Sequence, residues 1–205
     1  MYLRYHHAVL CVCLLAAAAP VQAQKKGDAP PEPAVAPFDA KKAEEHQKAW
    51  AKHLGVRVKL RNPIGMELML IPPGEFVMSS PAFEEGRSDD EVQHKVTLTK
   101  PFFMGITEVT QAHFFRILRK NPSKFKAVKH PVGMVTWEEA VEFCARLSDV
   151  PAEKRKGRVY RLPTEAEWEY GSIGRGSRYA STVARSPQNE RAELPSATSL
   201  LQQPH

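Results

Sequence analysis

The sequence predicts one irregular α+β domain. Three observations carry this: short apolar stretches at strand period, short helices with legible caps among them, and many intervening loops with no internal repeat. A chain of 205 residues fits one domain with appendages, since single domains cluster around roughly 100 to 200 residues. Its 42% hydrophobic and 25% charged residues are those of a globular chain with a sizeable core. The 17 prolines are too many for one compact core and gather near the two ends, which points to flanking segments that do not fold.

The first flank reads as a secretory signal peptide over residues 1–23. Arg4, His6 and His7 make a positively charged start, Ala8 to Ala19 is an apolar run, and Val21-Gln22-Ala23 supplies the small-x-small cleavage pattern. The run is shorter than the ~20 apolar residues that span a bilayer. The expectation is therefore cleavage after Ala23, a mature chain from Gln24 without a transmembrane segment, and a periplasmic or extracellular location. Cys11 and Cys13 lie inside the run, which argues against an acylated lipoprotein cysteine. Residues 24–55, with Pro30, Pro31, Pro33 and Pro37 close together, read as a flexible Pro/Ala-rich tether. Within it Ala40 to Leu54 favours a short solvated helix ahead of Gly55.

The folded part is expected over residues 56–170. Val56, Val58 and Leu60 alternate with charged residues at the period of a half-buried strand, which Asn62-Pro63 breaks. Met66 to Ile71 and Glu75 to Ser79 flank Pro72-Pro73-Gly74 and predict a β-hairpin. Residues 81–93 form an acidic loop whose Ser88-Asp89-Asp90-Glu91 offers oxygen donors of the kind Ca²⁺ takes. The spacing is not that of an EF-hand loop, so a solvated loop is expected. Val96, Leu98, Phe102 and Met104 then alternate with more polar positions and predict one further strand running to Glu108.

Three helix starts follow. Thr110 caps a helix carrying Phe114, Phe115, Ile117 and Leu118, which Asn121-Pro122 ends. Thr136-Trp137-Glu138-Glu139 is a capping box, with Ala140, Val141, Phe143, Cys144 and Leu147 on the apolar face behind it. Thr164-Glu165-Ala166-Glu167 is a second capping box and opens a helix through Trp168 and Tyr170. Beyond it, residues 171–205 are rich in Ser, Arg, Gln, Pro and Ala and hold neither period, which predicts a disordered or aberrant tail.

The charge balance and the reactive side chains assign no site. The formal charge of +6 is spread among acidic residues from Lys41 to Arg161, and its densest block, Lys154-Arg155-Lys156, falls in a loop. That describes a solvated surface and no nucleic-acid partner, which would require a clustered basic face on a recognisable module. Glu165, Glu167 and Trp168 resemble an acid–base set, but two glutamates in the first turn of a helix are more simply capping and macrodipole partners. His94, His113 and His130 lack metal-ligand spacing. Cys144, the lone cysteine of the mature chain, is either a small buried hydrophobe or a residue whose partner is missing. No catalytic, cofactor-binding or metal residue is assigned.

Four blocks carry a family resemblance. They are Ile64-Gly65-Met66 through Ile71-Pro72-Pro73-Gly74-Glu75-Phe76, and Pro101-Phe102-Phe103-Met104-Gly105-Ile106-Thr107-Glu108-Val109-Thr110. Then come His130-Pro131-Val132 with Val135-Thr136-Trp137, and Tyr160-Arg161-Leu162-Pro163-Thr164-Glu165-Ala166-Glu167-Trp168-Glu169-Tyr170. In this order they resemble the signature of the formylglycine-generating enzyme, or sulfatase-modifying factor, family, over its N-terminal part.

The resemblance implies an irregular fold related to C-type lectins, often calcium-stabilised in the family and truncated in this chain. In the family's enzymes a late pair of cysteines binds copper(I) and, with oxygen, oxidises a cysteine of a client sulfatase to formylglycine. Copper(I) is soft and selects thiolates, and nothing after Tyr170 is a cysteine, so this chain is expected to be inactive, with no cofactor of its own. The alternative is a non-catalytic lectin-like binding module for a protein or sugar partner. Cys144 resembles a helix cysteine that in some members pairs with a late one. Gly171-Ser172-Ile173-Gly174-Arg175-Gly176 departs from the family pattern, as does Met78-Ser79-Ser80, where the family has Met-Gly-Ser. A domain cut midway should fold marginally and expose Phe114, Phe115 and Phe143.

Overall fold

In the computed structural model the described residues are 13–16, 29–79 and 92–173. In chain order the elements are β1 (Cys13–Ala16), β2 (Ala34–Val35), α1 (Ala40–Leu54), β3 (Lys59–Arg61), β4 (Glu67–Ile71), β5 (Gly74–Met78) and β6 (His94–Leu98). They continue with β7 (Phe102–Gly105), α2 (Gln111–Leu118), α3 (Trp137–Ser148), α4 (Pro151–Lys154), β8 (Arg158–Arg161) and α5 (Glu165–Ile173). Small sheets and short helices are mixed, as expected of an α+β domain. A five-stranded antiparallel sheet runs β3-β4-β7-β1-β8, and a three-stranded sheet runs β2-β5-β6.

The helix starts form where the local chemistry puts them. Thr110 accepts from the amide of His113, and Thr136 and Glu139 make both halves of a capping box. Asp39 caps α1, and Gly55 ends it in the left-handed region. One helix differs from expectation in its role. α1 is not merely solvated, because Trp50 and Ala51 enter the main core and Trp50 Nε1 donates to the Glu32 carbonyl at 3.4 Å. Ala34 and Val35 of the expected tether pair in parallel with β5.

Two strand expectations fail for an identifiable reason. Pro72-Pro73-Gly74 does not turn a hairpin: β4 lies in the larger sheet and β5 in the smaller. Two successive prolines bring no N–H to a ladder, so the chain leaves one sheet there and enters the other. Gly74 is required by close approach, since a Cβ there would lie 2.0 Å from Tyr170 Oη and 2.5 Å from the Ala34 carbonyl oxygen. The single strand expected up to Glu108 is likewise two, β6 and β7, in different sheets and separated at Pro101. The hairpin actually present joins β3 to β4, with Leu60 opposite Leu68. Asn62 Oδ1 organises it by accepting the amides of Ile64 at 3.2 Å and Met66 at 2.9 Å.

The main core packs Leu68, Leu70 and Phe103 of the larger sheet against Phe114, Phe143, Cys144 and Leu147 of α2 and α3. A second cluster, Ile71, Phe76, Met78, Phe102, Met104 and Tyr170, joins the two sheets through α5. Phe114 and Phe143 are fully buried and stacked, with centroids 5.5 Å apart, contrary to the expected exposed patch; of the three, Phe115 alone is exposed.

Residues 13–16, inside the expected signal peptide, form β1 and pair on both sides, Cys13 with Met104 and Arg161, Leu14 with Phe103 and Tyr160. The cleavage position after Ala23, the acidic cluster at 88–91, and all of the expected tail beyond Ile173 lie outside the described residues.

Candidate functional site

The longest signature block ends β8, turns at Leu162-Pro163 and opens α5, and its polar side chains are engaged in holding that turn. Arg161 donates from Nη1 to Glu167 Oε2 at 2.6 Å and from Nη2 to Glu167 Oε1 at 2.5 Å. The same carboxylate accepts the Thr164 amide at 2.8 Å, while Thr164 Oγ1 accepts the Glu167 amide at 3.2 Å. Glu167 is therefore a capping and ion-pair residue, as its place in the first turn suggested. Burial alone would raise its pKa, but the Arg161 and Thr164 hydrogen bonds outweigh burial and hold it below 4.5. Glu169 Oε1 accepts the amide of Ser79 at 2.9 Å, tying α5 to the end of β5. Glu165 and Trp168 are solvent-accessible, whereas Glu167 is buried against Arg161.

The histidines do not meet. His94 lies at the edge of the smaller sheet with Nδ1 3.0 Å from the Val92 carbonyl oxygen. His130 is exposed in the loop before β-bridged Pro131. His113 on α2 is half-buried; desolvation, with Arg116 and Arg61 nearby, lowers its pKa. Among the described residues, no three His, Cys, Asp or Glu side chains are grouped as a metal would need.

Cys144 faces the main core from α3, and burial pushes its thiol up to about 12. At neutral pH it is a protonated hydrophobe, and the thiolate that would bind metal or attack is suppressed.

Sequence reasoning missed a buried polar network beneath β8. Glu153 is fully buried and accepts from Tyr160 Oη at 2.5 Å and from Arg158 Nη1 at 3.4 Å; Asn62 Nδ2 donates to Tyr160 Oη at 3.4 Å. Burial, then the Glu153 carboxylate, raises the Tyr160 pKa. Nothing local distinguishes Glu153 from the charged residues beside it, because its partners lie on other elements.

These features define an α+β domain in which the signature residues brace the junction of two sheets. The chain belongs to the family of sulfatase-modifying factor enzyme 1-like domains, whose model matches residues 59–198. The match runs past Tyr170, where the signature blocks stop. Among curated proteins it is similar to the chaperone protein LppX of Paenibacillus barcinonensis, 29% identical over 136 residues, which are 53% of this chain and 45% of that protein. It is also similar to the serine/threonine-protein kinase pkn1 of Chlamydia pneumoniae, 30% identical over 138 residues, or 55% of this chain and 20% of the kinase. The chain thus spans less than half the length of either relative. Among solved structures it is similar to PvdO from Pseudomonas aeruginosa at 27% identity and a TM-score of 0.48, covering 56% of this chain and 50% of that one.

Proposed function

We propose that this chain is an exported, non-catalytic member of the sulfatase-modifying factor family that serves as a binding module for a protein partner. The observation that carries this reading is Cys144. It is the one cysteine outside residues 1–23, it sits in the apolar core, and its pKa near 12 keeps it protonated. Copper(I) chemistry of the formylglycine type needs two thiolates together, and this residue set does not fit that ion. Export is supported by the charged start, the apolar run and the Val21-Gln22-Ala23 pattern. A role in binding a protein is supported by the kinship to a protein named as a chaperone, and the family resemblance makes a sulfatase-type client the first partner to test.

The test incubates the full chain with a cysteine-containing sulfatase-type peptide, copper and oxygen. Mass spectrometry should find the peptide unconverted. Formation of the aldehyde in many turnovers per chain would sink the proposal.

A further inference from the structure

Five cationic side chains face one solvent-open cleft of about 420 Å³: Arg57 just ahead of β3, Lys59 and Arg61 within it, Lys156 in the turn before β8, and Arg158 at its start. Glu67 is the single carboxylate in its wall. The grouping has a simple origin. Positions 57, 59 and 61 alternate with Val58 and Leu60, which pack against the core, so the three cations share the outer face of the strand. Lys156 and Arg158 arrive from about a hundred residues later, and Asn62 and Tyr160 are hydrogen-bonded beneath them.

The charge in the cleft is poorly compensated from within. Arg158 leans on Glu153 at 3.4 Å, and Arg61 Nε donates to the neutral carbonyl of Gly65 at 3.2 Å. Among the described residues, no carboxylate lies within ion-pair distance of Arg57, Lys59, Arg61 or Lys156. Crowded like charges repel, and an anion entering the concavity would relieve that repulsion. Guanidinium forks suit the paired oxygens of phosphate or sulfate, and ammonium groups supply point charge beside them. The volume lies within the roughly 300 to 1,000 Å³ of small-ligand sites.

We propose that this cleft binds a small ligand bearing two or more phosphate or sulfate groups. Such binding is independent of whether the chain is a catalyst, so failure here leaves the functional reading above untouched.

Titration calorimetry of the full chain with pyrophosphate, and separately with a disulfated disaccharide, provides the test. At least one probe should bind saturably at a single site and weaken as ionic strength rises. The exposed pair Lys59→Glu/Lys156→Glu should bind roughly tenfold more weakly or worse, with unchanged circular dichroism. The control Lys41→Glu/Lys52→Glu, with the same charge change on α1, should bind like the parent chain. The proposal is overturned if neither probe saturates or if both charge variants lose affinity equally. It is overturned equally if phosphatidylglycerol vesicles bind while the free anions do not.

Discussion

Arg161 and Glu167 face each other through two parallel hydrogen bonds of 2.6 and 2.5 Å, across the turn that carries the chain from β8 into α5. Removing the cation leaves a mostly buried carboxylate without its main partner. Arg161→Ala should cost about 2 kcal/mol in urea unfolding, less than a fully buried pair would, because the arginine side chain stays 33% exposed. Arg161→Lys should recover only part of this, since an ammonium cannot reproduce the two-pronged contact.

The same pair sets an acid limit. The folded pKa of Glu167 lies below 4.5, so its contribution to stability is present above that pH and is lost as pH falls through the folded value. Chemical denaturation between pH 6 and pH 3 should show stability declining on the acid side, and the decline should be shallower in Glu167→Gln.

Tyr170 offers a stabilising change. Its Oη is buried with no hydrogen-bond partner among the described residues. Tyr170→Phe should therefore raise stability by about 1 kcal/mol, seen as a higher melting temperature. Gly74→Ala should do the reverse and by more, since the new methyl would meet both that hydroxyl and the Ala34 carbonyl; combined with Tyr170→Phe, its cost should fall.

Cys144 should be silent to thiol reagents in the folded chain at pH 8 and react fully in denaturant. With a folded pKa near 12 against an ordinary 9.0, its stabilising effect is complete below pH 9 and disappears as pH rises through the folded value. Loss of stability above pH 9 should shrink in Cys144→Ala after allowance for the lost core volume.

What could be read from sequence was local. Thr110, Thr136 and Thr164 reveal helix starts because a cap and its amide lie within one turn. The alternation of Val56, Val58 and Leu60 with charged residues shows an outward cationic face, but a strand knows nothing of its distant neighbours. Lys156 and Arg158 complete the cleft from a segment about a hundred residues away, held by pairing with β1, by Ser148 of α3 and by the contact between Asn62 and Tyr160. Pro72-Pro73-Gly74 was illegible for a related reason: the same tripeptide suits a tight turn and a transfer between sheets, and the choice rests on Tyr170 filling the space a Cβ would need. Glu153 has no sequence signal, as its burial depends on Tyr160 and Arg158 arriving above it.

Two consecutive residues of α5 press on different sheets. Tyr170 seats its ring over Gly74 in β5, and a Cβ on Gly171 would lie 2.8 Å from Met104 Sδ in β7. The last helical turn is thus a wedge common to both layers, and neither layer can slacken alone. Amide protons deep in β5 and in β7 should exchange with deuterium at matched rates, as one cooperative unit whose opening begins with the release of that wedge.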